Sequence, residues 1–498
     1  MRRTMDNQLL KRSFGMREAV TITVGTVVGV GLFTTGANVV GMMGSAVIIA
    51  TFVAMLVSVY PALLYAEMGA ALPYAGGTYK YASLGIGRPF GMLAGWNFII
   101  SLVAVTSGEA LAFSFYFKTF MGAIGLEIGG GGVSDVIIAC VVVAAFMILS
   151  VGGVEITGRL QNGFMFFFWG VAIIWFLMMI PNVGLSNFVQ LPDYVDFSAG
   201  GFIGMVALIW WCFAGFETCC AMGEEIRYPH INIPRALFLA PFIVFAVNAI
   251  FQWFMVGIVP TEQLETISVA SAPYAEAMSI AGILGFPLIM LAAGIAFGGD
   301  FSTLNSSISV PPRYLFTMAR DGAMPKVFAK IHPKYKTPYV AILTLGILTV
   351  LLIATNSMIY IASLSLFADL FYYIIGIIAC AFLRKRKPDL ERPYKAPAVM
   401  IGAPVSAIIY IIMLTQLDSE AFWTGVIWCV LGLVIFFICQ ARYGRKGDED
   451  LAVQIINHVD PPAEEKARMD REFKVWRAVV AVAVVIAVAI YIIPFIFA

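Results

Sequence analysis

Thirteen apolar runs of about 20 residues set the limits of what this chain can fold into. They fall near 18–40, 44–66, 92–117, 134–152, 162–181, 201–222, 236–259, 282–309, 338–354, 357–383, 400–416, 421–440 and 477–497. Each is long enough to cross a hydrocarbon layer as a helix. Within lipid a backbone must pair its own N–H and C=O groups, which leaves helices or closed barrels. Runs of this length, without strict alternation, predict an all-α integral membrane fold. Composition agrees, since only 12% of the residues are charged and 60% are hydrophobic, against about 25% charged in an average soluble domain.

Placing the N-terminus in the cytoplasm assigns alternate loops to that side. Of the 31 Lys and Arg residues, all but Lys118 then fall on it. That asymmetry supports both the span count and the orientation, and it puts the C-terminus outside. The expected location is the plasma membrane, specifically a bacterial inner membrane. Residues 1–17 are basic and lead into a full span with no small-residue cleavage site, so they read as a retained cytoplasmic tail rather than a signal peptide. The expected organisation continues with a core over 18–383, a loop and two spans over 384–440, and a polar cytoplasmic linker over 441–476. An additional helix follows over 477–498. The linker is too short to bury a core of its own.

Several function classes are excluded at this stage. The chain lacks a phosphate-binding loop, HExxH and GxSxG, and its three histidines (His230, His332, His458) lie in loops. An enzyme and a nucleotide-driven pump are both disfavoured. A net charge of +1 gives no reason to expect a nucleic-acid partner. The seven cysteines sit inside apolar runs without ligand spacing, so they read as small buried hydrophobes and no metal site is expected. What remains is movement of a small solute through a bilayer.

Two spans are interrupted. GTVVGVGLFTTG, at positions 25–36, places Gly25, Gly29, Gly31 and Gly36 in the first, each costing roughly 1 kcal/mol of helix propensity relative to Ala. In the sixth, Ala214, Gly215 and Glu217 break an apolar helix. A break at membrane depth is tolerated only where the freed backbone faces protein, a cavity or a solute. Spans one and six open two consecutive sets of five, and an odd number inverts the second set. Paired breaks in inverted halves point to a transporter's central site.

Five further stretches carry a family resemblance: YAEMGAALPYAGGTYKYASLGIGRPFG from Tyr65, FAGFE from Phe213, GEEIRYPHINIPRA from Gly223, RYLFTMARDGAMP from Arg313 and RKRKPDLERPYKAP from Arg384. With GTVVGVGLF in span one, and in this order, the chain resembles the amino acid–polyamine–organocation superfamily. The resemblance implies a LeuT-like 5+5 inverted repeat with discontinuous helices 1 and 6, followed by spans 11, 12 and a thirteenth. It also implies a substrate site at Val27, Val28, Gly29, Val30, Gly31 and Leu32 with Phe213, Ala214 and Gly215. Backbone N–H groups of Val30, Gly31 and Leu32 would take a carboxylate, and carbonyls of Val27, Val28 and residues 213–215 an ammonium. Many relatives resemble Gly-Ser-Gly at the first break, so Val30 removes a hydroxyl donor.

Acids at membrane depth are functional candidates by default. Glu217 matches a position implicated in substrate or proton coupling, or else caps the broken helix. Trp211 matches a gating aromatic, with ordinary packing the alternative. Glu109 pairs with a cationic substrate or with a neighbouring helix, and Asp369 is assigned no role. Asp300, Ser302, Thr303, Ser306 and Ser307 on span eight suit a sodium site against span one, or helix packing through small polar groups. Glu67 and the AGG at 75–77 look like an inner gate, with Arg12 or Lys80 as partners. Arg313, Arg320 and Asp321 read as an anchor and latch. Some relatives place a sodium-replacing Lys on span five, but here Phe168 or Trp169 falls near that position.

The sequence therefore points to a secondary active transporter, permease or exchanger, moving a neutral or cationic amino acid by alternating access. A small amine or polyamine lacking a carboxylate is the alternative cargo, and a transporter-like nutrient sensor the alternative class. No cofactor is expected beyond a coupling proton or sodium ion.

Overall fold

The computed structural model describes residues 13–29, 31–417, 419–443 and 459–497. Among these, regular structure is helical, and isolated bridges pair Phe14 with Ile226 and Ala75 with Met222. The first apolar run divides into α1 (Met16–Gly25), a π-helical stretch (Gly31–Gly36) and α2 (Ala37–Met43). Then come α3 (Val47–Ala71), the short buried α4 (Gly77–Gly85), α5 (Arg88–Ala123), α6 (Gly131–Val151) and α7 (Val154–Met179). The sixth run splits into α8 (Ala199–Trp211) and α9 (Thr218–Ala221).

The second part of the chain forms α10 (Pro229–Ile258), the small α11 (Leu264–Ile267) and α12 (Pro273–Ile280), then α13 (Phe286–Gly294), α14 (Phe301–Ser309) and α15 (Pro311–Arg320). A π-helical stretch, Ile295–Asp300, joins α13 to α14. The remaining helices are α16 (Tyr339–Ile353), α17 (Met358–Arg386), α18 (Val399–Leu414), α19 (Ser419–Tyr443) and α20 (Ala463–Phe497). Among the described residues nine helical segments are long and apolar enough to span a membrane, and α8, α16 and α18 are shorter apolar helices. The shortfall against thirteen runs has a simple origin. Broken or short runs give helices under the length of a span, and the first two runs are helical almost continuously from Gly31 to Ala71.

Burial separates a core from a rim. The apolar window of α5 is 89% buried and that of α10 78%, whereas those of α6, α7, α19 and α20 are 22–28% buried. The rim helices present Ile148, Ile173, Leu177, Ile427 and Val482 outward, as lipid-facing residues must. In the core, α5 packs on α17 and α10 on α3, enclosing both interrupted runs.

The last helix starts at Ala463, well before residue 477. Much of the expected linker is therefore continuous with the final span, while its residues 444–458 lie outside the described residues. It docks along α10: the Trp253 indole donates to the Ile490 carbonyl (2.9 Å) and the Tyr491 hydroxyl to that of Ala249 (3.1 Å). Nearer the basic end of the bundle, Arg235 pairs with Asp470, and the Tyr228 hydroxyl donates to Glu465 (2.9 Å).

Candidate functional site

The two interruptions meet. Helical bonding in the first persists to Val28, whose N–H reaches the Val24 carbonyl (2.9 Å), and resumes where Phe33 N–H reaches Gly29 (2.9 Å). In the sixth run the ladder tightens to i−3 bonds from Cys212 to Ala214. It then stops at Gly215, whose φ of +99° is a left-handed value that suits glycine. The Gly215 N–H turns sideways to the Tyr373 hydroxyl (3.0 Å). Across the gap the Cys212 thiol donates to the Gly31 carbonyl (2.9 Å), and the hydroxyls of Thr26 and Thr218 lie 3.2 Å apart. Val30 lies outside the described residues.

Between the breaks and α5 is a small cavity. Of the residues singled out in the sequence, Val27, Gly29, Gly31, Glu109, Trp211, Ala214, Gly215 and Thr303 line it. Only about 20 Å³ of it admits the centre of a water molecule, room for roughly one water, so the walls are drawn together. Val28, Leu32, Phe213 and Glu217 are buried but do not line it. Five lining residues were not singled out as site residues: Thr26, Ser101, Leu102, Val105 and Asp369. Asp369 was visible as an acid within an apolar run, which is signal enough to name it a candidate.

The cavity's acids stand among hydroxyls. Asp369 accepts from Ser101 (2.5 Å) and Ser365 (3.3 Å), and Ser365 in turn accepts from the Trp211 indole (3.1 Å). That chain fixes the ring of Trp211 at the cavity wall. Glu109 presses on the first break, since a Cβ on Gly29 would lie 2.3 Å from its carboxyl oxygen and 2.3 Å from the Thr303 hydroxyl. The buried carboxyl of Asp300 adjoins Glu109. No Lys or Arg occurs among the described lining residues.

Glu217 has a different setting. The hydroxyls of Tyr372 and Tyr373 both donate to it, and Tyr373 also receives the Gly215 N–H. Glu217 and the Gly215 N–H thus share Tyr373 on α17, and the Glu217 side chain accepts no capping bond from α9. On α14, Ser302 and Thr303 turn toward Gly25, while Ser306 donates back to the carbonyls of Ser302 (3.2 Å) and Thr303 (3.1 Å). Ser307 is buried off the cavity.

On span five, Phe168 meets the first interrupted run and Trp169 does not. Phe168 packs against Gly298 and Phe33, and Trp169 against Trp476. Two turns earlier on α7, Gln161 also reaches the first run, its amide donating to the Thr21 carbonyl (3.0 Å) and to the Ser302 hydroxyl (2.7 Å).

Comparisons with known proteins identify the family. A family described as amino acid permease matches residues 14–439. The chain belongs to that family. A branched-chain amino acid permease of Bacillus subtilis is 24% identical over 89% of this chain and 96% of its own length. The methylthioribose transporter of the same organism is 25% identical over 88% and 94%. The human large neutral amino acids transporter small subunit 2 is 28% identical over 86% and 78%. The chain is thus a multi-pass amino acid transporter and not an enzyme.

The permease is closed at its basic end by ion pairs. Glu67 accepts two bonds from Arg384, one of them 2.9 Å, lies 3.3 Å from Arg392 and takes the Ala396 N–H (2.7 Å). Lys80, expected as its partner, pairs instead with Asp321, and Arg12 lies outside the described residues. Burial holds the Lys80 ammonium below its ordinary pKa although Asp321 opposes the shift. Around the AGG turn, Ala75 N–H donates to Glu224 (3.0 Å), which pairs with Arg320 (3.2 Å). Glu225 pairs with Arg313 (3.1 Å), and its burial raises its carboxyl pKa against the opposing pull of that guanidinium. Arg313, Arg320 and Asp321 thus each form an ion pair, with Glu225, Glu224 and Lys80 respectively.

Proposed function

We propose that the permease carries an α-amino acid across the plasma membrane by alternating access, binding it in the cavity between the two breaks. The carrying observation is that cavity itself, bounded by both interrupted runs and by Glu109. In this reading the substrate ammonium sits against Glu109 and the carbonyls of the first break. The carboxylate takes backbone N–H groups near Gly31, at the positive end of a half-helix. The two interruptions are corresponding parts of a 5+5 inverted repeat. Spans one, two, six and seven rock against three, four, eight and nine, and the basic end faces the cytoplasm along with the N-terminus.

Val27, Leu102, Val105 and Trp211 supply an apolar wall for the side chain. Such a wall suits the neutral substrates for which two of the relatives are named. Asp369 favours a second reading, in which the side chain is itself cationic and ends near that acid. Uptake of labelled leucine and lysine into proteoliposomes tests both. Saturable uptake of either, competed by free amino acids, supports the proposal. Uptake of amines alone, unaffected by any α-amino acid, contradicts it.

A further inference from the structure

A second polar cluster lies beside the cavity, where α1, α7 and α14 meet. The Gly25 carbonyl accepts from the hydroxyls of Thr303 (2.8 Å) and Ser302 (3.4 Å), and the Val28 carbonyl accepts from Thr303 (3.2 Å). Carbonyls at a helix break and hydroxyls from a facing helix form the oxygen set that a hard cation would use. The residues actually present do not fit one. Gln161 Nε2 donates to Ser302 Oγ (2.7 Å) and to the Thr21 carbonyl (3.0 Å), so a donor points into the oxygen set. A Cβ on Gly25 would lie 2.1 Å from that nitrogen and 2.3 Å from Ser302 Oγ, so the amide and the hydroxyl both press on the backbone at Gly25.

The amide is locked in this direction. Gln161 Oε1 accepts from Asn305 Nδ2 (2.7 Å), and the same Asn305 group donates to the Thr157 carbonyl (3.0 Å). Turning Gln161 over would set its NH₂ against that of Asn305 and leave the Thr21 carbonyl facing an oxygen, losing hydrogen bonds at both ends. Gln161 and Ser302 are fully buried, so a polar group left without a partner there would be costly.

We propose that Gln161 is a positioning residue that stands in for a coupling cation. It ties α1 to α14 by neutral hydrogen bonds, so the permease works without sodium. A cation would make this tie conditional on the ion, whereas the amide keeps it at any sodium concentration. An amide does not titrate either, so this cluster carries no proton. The inference rests on the alternating-access reading, in which α1 moves against α14.

The test uses the full-length permease in proteoliposomes and in detergent. Leucine and lysine uptake by the wild type is compared in sodium and choline media, and thermal stability is measured with each salt. Equal uptake and equal stability support the proposal. Sodium-dependent uptake, or stabilisation by sodium over choline, overturns it. Gln161→Ala removes the donor and opens the oxygen set, so uptake in choline falls about tenfold and sodium restores part of it. Gln161→Lys, which keeps a donor, restores uptake without sodium. Wild-type uptake by Gln161→Ala in choline overturns the proposal. If Gln161→Ala does not fold, the wild-type salt comparison still decides. Absence of all uptake, with stability indifferent to sodium, counts against the transport reading and not against the role of Gln161.

Discussion

The carboxylates at the basic end and those in the cavity are all largely buried but differently paired. At the end, Glu67, Glu224, Glu225 and Asp321 each meet an arginine or lysine of the same chain. In the cavity, Asp369 meets serine hydroxyls and Glu109 lies among Gly29, Thr303 and Asp300. The first set closes the protein with charges it already owns. In the proposed reading, positive charge reaches the second set with the solute. A buried acid paired with Arg resists the loss of its partner, because a lone charge in a dry site is costly. An acid held only by hydroxyls can exchange them for an ammonium, which is what a binding site must do.

The largest effect that would sharpen this contrast is at Glu109. Glu109→Gln keeps the shape and removes the charge, and uptake should fall roughly 10–100-fold while the elution profile in size-exclusion chromatography is unchanged. Next comes the Glu67–Arg384 pair. Arg384→Ala leaves Glu67 with Arg392 and one backbone donor, and should destabilise the protein by roughly 3 kcal/mol, read as a lowered unfolding temperature. Substrate binding by the folded fraction should persist. A cavity-like outcome there, with lost binding and unchanged stability, would break the comparison. Asp369→Asn should lower the ratio of lysine to leucine uptake by about tenfold, and an unchanged ratio would confine Asp369 to positioning Trp211.

The smallest effect concerns pH. Glu225 holds its proton more tightly folded than unfolded, the reverse of the usual paired acid. Its contribution favours the folded state at low pH and is lost as pH rises through the ordinary carboxylate range to the raised folded value. Glu225→Gln should flatten that part of the stability profile, measured by thermal unfolding between acid and neutral pH.

Depth along the chain was legible in the sequence, and rotation about each helix was not. The glycines of the first break and Gly215 announced themselves because helices seldom spend that much propensity without cause. Glu109 stood out as an acid in an apolar run. Gln161 did not, because a polar amide near a span's end is unexceptional. The expected position, Phe168, lies seven residues further on, two turns along the same face and about 10 Å away. Phe168 meets the first run at Phe33, and Gln161 meets it at Thr21. For Glu67, sequence proximity suggested Lys80, but α17 brings Arg384 from 317 positions away, a pairing that only packing reveals. Glu217 combined legible depth with illegible partners, since nothing local points to Tyr372 and Tyr373.

The most direct test of the central claim is binding to a permease whose cavity has been filled by a single methyl group. A Cβ at position 29 would press on the oxygens of both Glu109 and Thr303. Saturation binding of labelled leucine and lysine should therefore be measurable for the wild type and absent for Gly29→Ala, with both proteins monodisperse. Equal binding by a folded Gly29→Ala variant would place the substrate elsewhere and contradict the account.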